Sequence, residues 1–230
     1  YCAQTVTGHR GEVCSVCVNA ESRRVVTGST DAQIRVYKLA DRVDPGSDVL
    51  IYAGSLLRSE KQRVGRVRFS AGGRLLACHT SGRAVELFRQ RSAEQIEKKL
   101  RRRRKREREK LKKKSAGGAV VASSSAPSEP GEVRATPADE FEPLLALRAA
   151  KKVRSLQFHP SNPTRMLLGL ATNTLVVYDV DVDKAAAASG GTVTKGDHFD
   201  RVAGVRLAGH TGGVRWVALS SDDQMILTTS

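Results

Sequence analysis

The stretch that most constrains the fold starts at Gly8-His9, runs through Val25-Val26-Thr27-Gly28-Ser29-Thr30-Asp31 and reaches Ile34-Arg35-Val36-Tyr37. It sets a Gly-His pair, two alternating apolar strands, a polar turn holding an Asp, and an aromatic six positions after that Asp in fixed order. Just before Val25, Val13, Ser15 and Cys17 alternate with Cys14, Val16 and Val18, so this strand could be covered on both faces. The opening returns at Gly209-His210, ahead of Val214-Arg215-Trp216-Val217 and Ile226-Leu227-Thr228-Thr229-Ser230. These segments read as strands separated by turns.

Those residues resemble one blade of a WD-repeat β-propeller, an architecture used for binding platforms far more often than for active sites. The expected fold is all-β: a partial WD-repeat propeller of about three blades plus part of a fourth, carrying a basic helical and disordered insertion. Two blades occupy residues 1–88, the insertion 89–143, and one blade plus the start of the next 144–230. Within this scheme the second unit spans about 49–88, with strands Val49–Tyr52, Val64–Phe69, Leu75–His79 and Val85–Phe88. The third spans about 145–180, with Val153–Phe158, Met166–Leu170 and Leu175–Tyr178, followed by a polar, Ala/Gly-rich loop over 183–200. The two Gly-His pairs lie 201 residues apart; setting the insertion aside leaves about 49 residues per unit, against about 40–45 for such a repeat. Two long loops account for the excess.

His9, Thr27, Asp31 and Tyr37 match the positions that WD repeats use for a structural hydrogen-bond network, and His210 opens a second copy. In that network the Asp accepts from the imidazole, the hydroxyl bridges, and a strand aromatic, normally Trp, completes the chain. Here the aromatic is Tyr and Lys38 follows it in place of Asp. A catalytic role for His9 and Asp31 would need a nucleophile held by the base, and no nucleophile is evident in the sequence.

Charge is concentrated. Of the net +15, residues 89–114 supply 15 basic and 4 acidic side chains, leaving only +4 for the remaining 204 residues. Ser92-Ala93-Glu94-Gln95 has the form of a capping box that starts a helix, after which Ile96, Leu100 and Leu111 fall on one narrow face. The candidate nucleic-acid-binding or nuclear-localisation residues are Lys98, Lys99, Arg101, Arg102, Arg103, Arg104, Lys105, Arg106, Arg108, Lys110, Lys112, Lys113 and Lys114. They surround the helix axis as a positive rod, suited to phosphates in a salt-dependent, sequence-independent way. No aromatic lies between Phe88 and Phe141, so the rod offers no base stacking. A localisation signal or a merely solvated helix fits the same residues. Residues 115–137, rich in Ser, Ala, Gly and Pro, read as a disordered linker.

Other classes find little support. No apolar run reaches the 18 or more residues of a membrane span, so no membrane partner is expected. Cys14-Ser15-Val16-Cys17 has metal-pair spacing, but strand alternation sends the two thiols to opposite faces and no second pair completes a site. They read as core cysteines. Gly72-Gly73 and Gly190-Gly191 are too short to cradle phosphates. The expectation is no enzyme, no catalytic residues, no metal, no cofactor and no small-molecule substrate. The chain opens on Tyr1-Cys2-Ala3-Gln4 and stops at Thr229-Ser230 inside an expected strand pair, so it reads as an internal fragment forming an open arc with unpaired edges.

A more specific resemblance covers nearly the whole chain. It rests on Gly-His-Arg-Gly-Glu-Val at 8–13, Val-Thr-Gly-Ser-Thr-Asp at 26–31, Gly-Arg-Leu-Leu-Ala-Cys-His at 73–79, and Val-Glu-Leu-Phe at 85–88 with the basic insertion directly after it. Lys-Lys-Val-Arg-Ser-Leu at 151–156 and Gly-His-Thr-Gly-Gly-Val-Arg at 209–215 complete it. These segments resemble the WD-repeat subunit of the small-subunit processome, in the UTP-B subcomplex, the family typified by human WD-repeat protein three. The resemblance implies a nucleolar scaffold of ribosome biogenesis and rRNA processing, with other UTP-B subunits, pre-rRNA and small nucleolar RNA as partners, in the nucleus and nucleolus. The alternative is a WD-repeat adaptor of another nuclear complex, such as a ubiquitin-ligase substrate receptor, in which the basic run serves import alone. Hydrolytic activity in the propeller is a third and minor possibility.

Overall fold

The computed structural model describes residues 4–41, 47–116, 135–144, 146–184 and 199–230, with side chains in the long helix given as far as residue 109. The first sheet orders β1 (Val13–Asn19), β2 (Arg24–Ser29), β3 (Ile34–Leu39) and β4 (Leu50–Leu56). The second orders β5 (Val64–Phe69), β6 (Leu75–Thr80), β7 (Ala84–Gln90) and β8 (Phe141–Pro143), and β9 (Leu147–Arg148) also pairs with β7. The third holds β10 (Val153–Phe158), β11 (Arg165–Leu170), β12 (Thr174–Val180) and β13 (Phe199–Arg206). A two-stranded sheet of β14 (Trp216–Leu219) and β15 (Ile226–Thr229) begins a fourth unit. Every pairing is antiparallel. The first strands of successive sheets, β1, β5, β10 and β14, lie side by side, so the sheets fan out as blades. The fold is the all-β partial propeller that the repeats imply.

Three apolar clusters fill the three junctions between successive blades. Val26, Ile34, Val36, Val64, Val67 and Leu76 meet between the first and second blades. Leu87, Leu156, Met166 and Leu168 meet between the second and third, and Leu167, Leu175, Val214 and Val217 between the third and fourth. Strand β6 shows how a period of two serves both sides: Leu75 and Ala77 join one cluster, Leu76 and Cys78 the other. A strand covered on both faces reads as a continuous apolar run, which is why 75–78 carries no polar residue.

The first three blades use the same device at the inner strand. A bulge falls between Val13 and Ser15, between Val64 and Arg66, and between Val153 and Ser155. Ser15 Oγ then accepts from the Val67 amide at 3.1 Å, and Ser155 Oγ donates to the Val214 carbonyl at 3.4 Å, each reaching the next blade. Opposite them stand Gly28 and Gly169, where a Cβ would collide with Val64 and Val214 of the neighbouring blade. The second blade places Arg66 and His79 there instead. Burial pushes the His79 ring down to about 4, and its Nδ1–H donates to the Thr80 carbonyl at 3.0 Å.

Three borders differ from the sequence expectation. Residues 50–56, placed by pattern in the second unit, form the outer strand of the first sheet. The acidic segment 139–143, assigned to the insertion, instead ends in β8 on the second sheet, and β13 begins at Phe199, inside the expected 183–200 loop. Outer strands pair along one edge only, and β4 and β8 bury single residues, Leu56 and Phe141, too few to show a period.

Antiparallel pairing sends connections alternately to two ends of the molecule. At one end lie the first-to-second strand turns near 20–23, 70–74, 159–164 and 220–225, with residues 91–116 and 135–140 from the connection between β7 and β8. At the other lie 30–33, 81–83 and 171–173, together with the links between blades, 57–63, 149–152 and 207–213. Backbone bonds fix the blades in this parallel sense: Val153 N–H donates to the Gly82 carbonyl at 3.0 Å, and Ala171 N–H to that of Lys152 at 2.7 Å. The positive helix leaves from the first end.

Candidate functional site

Helix α1 (Ala93–Ala116) follows β7 directly, and both capping-box bonds form: Gln95 N–H to Ser92 Oγ at 3.3 Å and Ser92 N–H to Gln95 Oε1 at 3.2 Å. Its base packs on α2 (Pro137–Glu140), with Ile96, Lys99 and Leu100 half-buried and residues 101–109 exposed. Lys99 reaches Asp139 at 3.1 Å and the Ala138 carbonyl at 2.7 Å, while Arg103 reaches Asp139 at 3.4 Å and Glu107 at 3.3 Å. Burial works to raise the Asp139 carboxyl, but the Thr136 hydroxyl and amide and the Lys99 ammonium hold it below its ordinary value. Of the predicted set, Lys99 and Arg103 are therefore engaged within the protein. Lys98, Arg101, Arg102, Arg104, Lys105, Arg106 and Arg108 present their charges to solvent. The side chains of Lys110, Lys112, Lys113, Lys114 and Leu111 lie outside the described residues, as does most of the expected 115–137 linker.

The end of that linker is ordered where the sequence suggested disorder. Thr136 caps α2 with Pro137 at its first position, and Asp139 returns the second bond of a capping box. Pro137 sits against Gly54 of β4, where a Cβ would lie 2.9 Å from the proline ring and the backbone φ is +140°. Arg24 of β2 grips Glu140 through two bonds of 2.7 and 2.6 Å. Arg89 and Arg91 hold Glu142 at 2.5 and 3.2 Å. The base of the rod is thus clamped to two blades.

The blade networks lie at the opposite end. His9 Nδ1–H donates to Asp31 Oδ2 at 2.9 Å, and His9 Nε2 meets Thr27 Oγ1 at 2.8 Å. Asp31 also accepts from the Arg10 amide at 2.9 Å and the Gln33 amide at 2.9 Å. Burial alone would raise its carboxyl, yet these donors outweigh it and push it down to about 2. Tyr37 does not join: among the described residues it makes no hydrogen bond to Thr27, and its ring tilts against Tyr52 with centroids 5.6 Å apart. In the fourth unit His210 Nε2 meets Thr228 Oγ1 at 2.8 Å, the same eighteen-residue span as His9 to Thr27. Thr228 could have been found from that spacing alone. The hydroxyl, imidazole and carboxylate of the first blade follow the order of a hydrolytic triad. However, the His9 and Asp31 side chains are 6% and 8% exposed, and a cleft of about 630 Å³ around Asn19, Gly73, Gln90 and Thr164 opens at the other end.

The second blade lacks a Gly-His pair, and the structure supplies a substitute no motif foretold. Arg58 and Glu86, each 4% exposed, pair at 2.7 Å. Glu86 further accepts from the Ser59 amide and hydroxyl and the Glu60 amide at 2.8 to 3.0 Å. Arg58 also donates to the carbonyls of Ala32 and Gln62 at 2.7 and 2.8 Å.

Cys17 and Cys78 lie in the core, where burial pushes both thiols up to about 12, and Cys14 is exposed. Among the described residues no group of His, Cys, Asp and Glu could hold a metal, and no helix is long and apolar enough to cross a membrane.

Geometry and comparison agree on the class. The WD domain, G-beta repeat family matches residues 1–38 and 203–230, the two units that carry Gly-His pairs. The chain has the fold of a partial propeller, and its first and last units match the WD repeat. Two solved structures share the fold: Sqt1 of Saccharomyces cerevisiae, with a TM-score of 0.59 and 10% identity over 96% of this chain and 42% of that one, and Sqt1 of Chaetomium thermophilum, with a TM-score of 0.56 and 15% identity over 96% and 41%. This chain spans well under half the length of either. No curated protein matches it.

Proposed function

We propose that the chain is a non-catalytic scaffold of ribosome biogenesis, acting in small-subunit pre-rRNA processing within a small nucleolar ribonucleoprotein, or processome, assembly. Its blades bind UTP-B proteins and its positive helix touches pre-rRNA or small nucleolar RNA, in the nucleolus. The observation that supports this most is the mounting of α1. A helix that served only as a transport signal would need no fixed base, whereas this one is capped, ion-paired to Asp139 and clamped through α2 and β8 to two blades. Its exposed cations then stand at a fixed place on the platform, where they neutralise phosphates irrespective of base sequence.

Crosslinking in cells followed by sequencing of bound RNA tests this. Enrichment of pre-ribosomal and small nucleolar RNA is expected, reduced when Arg101, Arg102, Arg104, Lys105, Arg106 and Arg108 become Ala. Background recovery, with a ubiquitin ligase co-purifying, would favour the adaptor reading and overturn this one.

A further inference from the structure

Outside α1, cations without an acidic partner gather at one end of the second and third blades, whereas in the first blade that end holds Asp31, bonded to His9. In the second and third blades the connections opposite α1 (57–63, 81–83 and 149–152) hold Arg58, Lys61, Arg63, Arg83, Lys151 and Lys152 against one carboxylate, Glu60. Connections 171–173 and 207–213 add no acid. Arg58 is taken by Glu86, and Glu60 by Arg148 at 2.6 Å. The other five cations form no ion pair with a described residue, and all are exposed except the half-buried Lys152. Main-chain bonds string them into a row across the blade junction. Ser81 N–H donates to the Arg63 carbonyl at 3.1 Å, Ala149 N–H to that of Arg83 at 2.9 Å, and Ala171 N–H to that of Lys152 at 2.7 Å. The end that bears α1 instead mixes Glu21, Asp41, Asp48, Asp181, Asp183, Asp222 and Asp223 with Arg23, Arg74 and Lys184.

We propose that Lys61, Arg63, Arg83, Lys151 and Lys152 form a second RNA-binding surface, which holds a single strand by its phosphates at the end opposite α1. The proposal extends the RNA reading above, on residues that reading does not use. A phosphodiester chain carries one charge per unit and needs no pocket, and a row of separate, solvated cations matches it. A protein partner would be anchored by aromatic or apolar side chains in a desolvated centre. Of the exposed large apolar side chains only Leu57 belongs to these connections, and the clefts around Asn19 and Gly73 open at the far end.

The test is fluorescence anisotropy of the full chain with a labelled oligouridylate across a salt series. Two variants are compared: Lys61→Gln, Arg63→Gln, Arg83→Gln, Lys151→Gln and Lys152→Gln together, and the six-fold Ala variant of α1. Circular dichroism and urea midpoints confirm that both fold. Each phosphate contact on single strands contributes about 0.7 to the slope of log affinity against log salt, so the Gln variant should lose about 3.5 from that slope with α1 intact. A wild-type slope in the Gln variant, with loss in the α1 variant, overturns this inference and leaves the proposed function standing. Wild-type slopes in both overturn both. A Gln variant that loses binding to polyglutamate but not to oligouridylate identifies an acidic protein as the occupant, and the RNA assignment falls.

Discussion

The Arg58–Glu86 pair should be the most costly polar contact in the second blade. Both side chains are 4% exposed, so neither charge can be rehydrated without opening the junction with the first blade. In Arg58→Met the Glu86 carboxylate keeps three donors, from Ser59 and Glu60, but loses its counter-charge. The carbonyls of Ala32 and Gln62 lose their donor as well. Breaking a buried pair from one side costs about 3–5 kcal/mol, and Glu86→Leu should fall in the same range because it strands the guanidinium. The double variant strands no charge. It leaves only the Ser59 and Glu60 donors and the two carbonyls to find water, at about 1–3 kcal/mol for each group that stays dry. Its loss should therefore fall short of the sum of the single losses by about 2–3 kcal/mol, as read from urea unfolding followed by circular dichroism. Additivity within about 0.5 kcal/mol would refute the assignment, because it would mean that the two groups are not coupled. The Arg148–Glu60 pair provides the contrast: at 2.6 Å it is as short, but Arg148 is 64% exposed, so its cycle should return about 0–1 kcal/mol.

Acid should loosen the first blade through Asp31. Its carboxyl is lowered from 3.8 to about 2, so its contribution is complete above about pH 4 and fades as pH falls through 2; that contribution is about 2 kcal/mol, and Asp31→Asn should lose the corresponding slope in a pH series of unfolding midpoints. Gly28→Ala should destabilise by about 1–3 kcal/mol in denaturant melts, since its methyl meets Val64 across the blade junction and the strand backbone has no slack. In a Cys2→Ser background, an aromatic disulfide reagent at neutral pH should label Cys14 alone. Cys17 and Cys78 should react only on unfolding, given thiols pushed up to about 12 and packed in the core.

The parts of the fold legible in the sequence are those where local chemistry repeats. The inner strands of the second and third blades announce themselves through Val64 and Val153 followed by alternating residues, and the start of α1 through Ser92 and Gln95, because propensity and burial act there within a few positions; β1, expected to be covered on both faces, instead leaves Val13, Val16 and Val18 exposed. The His9–Thr27–Asp31 contacts were readable for the same reason, since a fixed span and turn place them. Tyr37 shows the limit: a phenol at the indole position keeps the burial but makes no bond to Thr27, so residue type decided what spacing could not. Strands β8 and β9, three and two residues long, are too short for any period to show. Arg58 and Glu86, 28 residues apart and without a motif, become partners only when the third strand of the second blade folds back beside the link that enters it.

Net charge misled most where it looked most ordinary. Outside residues 89–114 the chain is only +4, which reads as a neutral body carrying one positive appendage. Antiparallel topology sorts residues differently, because it sends alternate connections to opposite ends. Lys61, Arg63, Arg83, Lys151 and Lys152 are spread over some ninety positions, yet all fall in connections of the same parity, while Glu21, Asp41, Asp181 and Asp222 fall in the other, where they outnumber Arg23, Arg74 and Lys184. Opposite charges that cancel in a sum are then held a strand length apart, beyond a Debye length of about 8 Å at physiological salt, and each end acts on its surroundings with its own sign. For a propeller the informative quantity is charge by connection parity. By that measure this chain presents two positive surfaces: α1, rooted at one end, and the row of cations at the other.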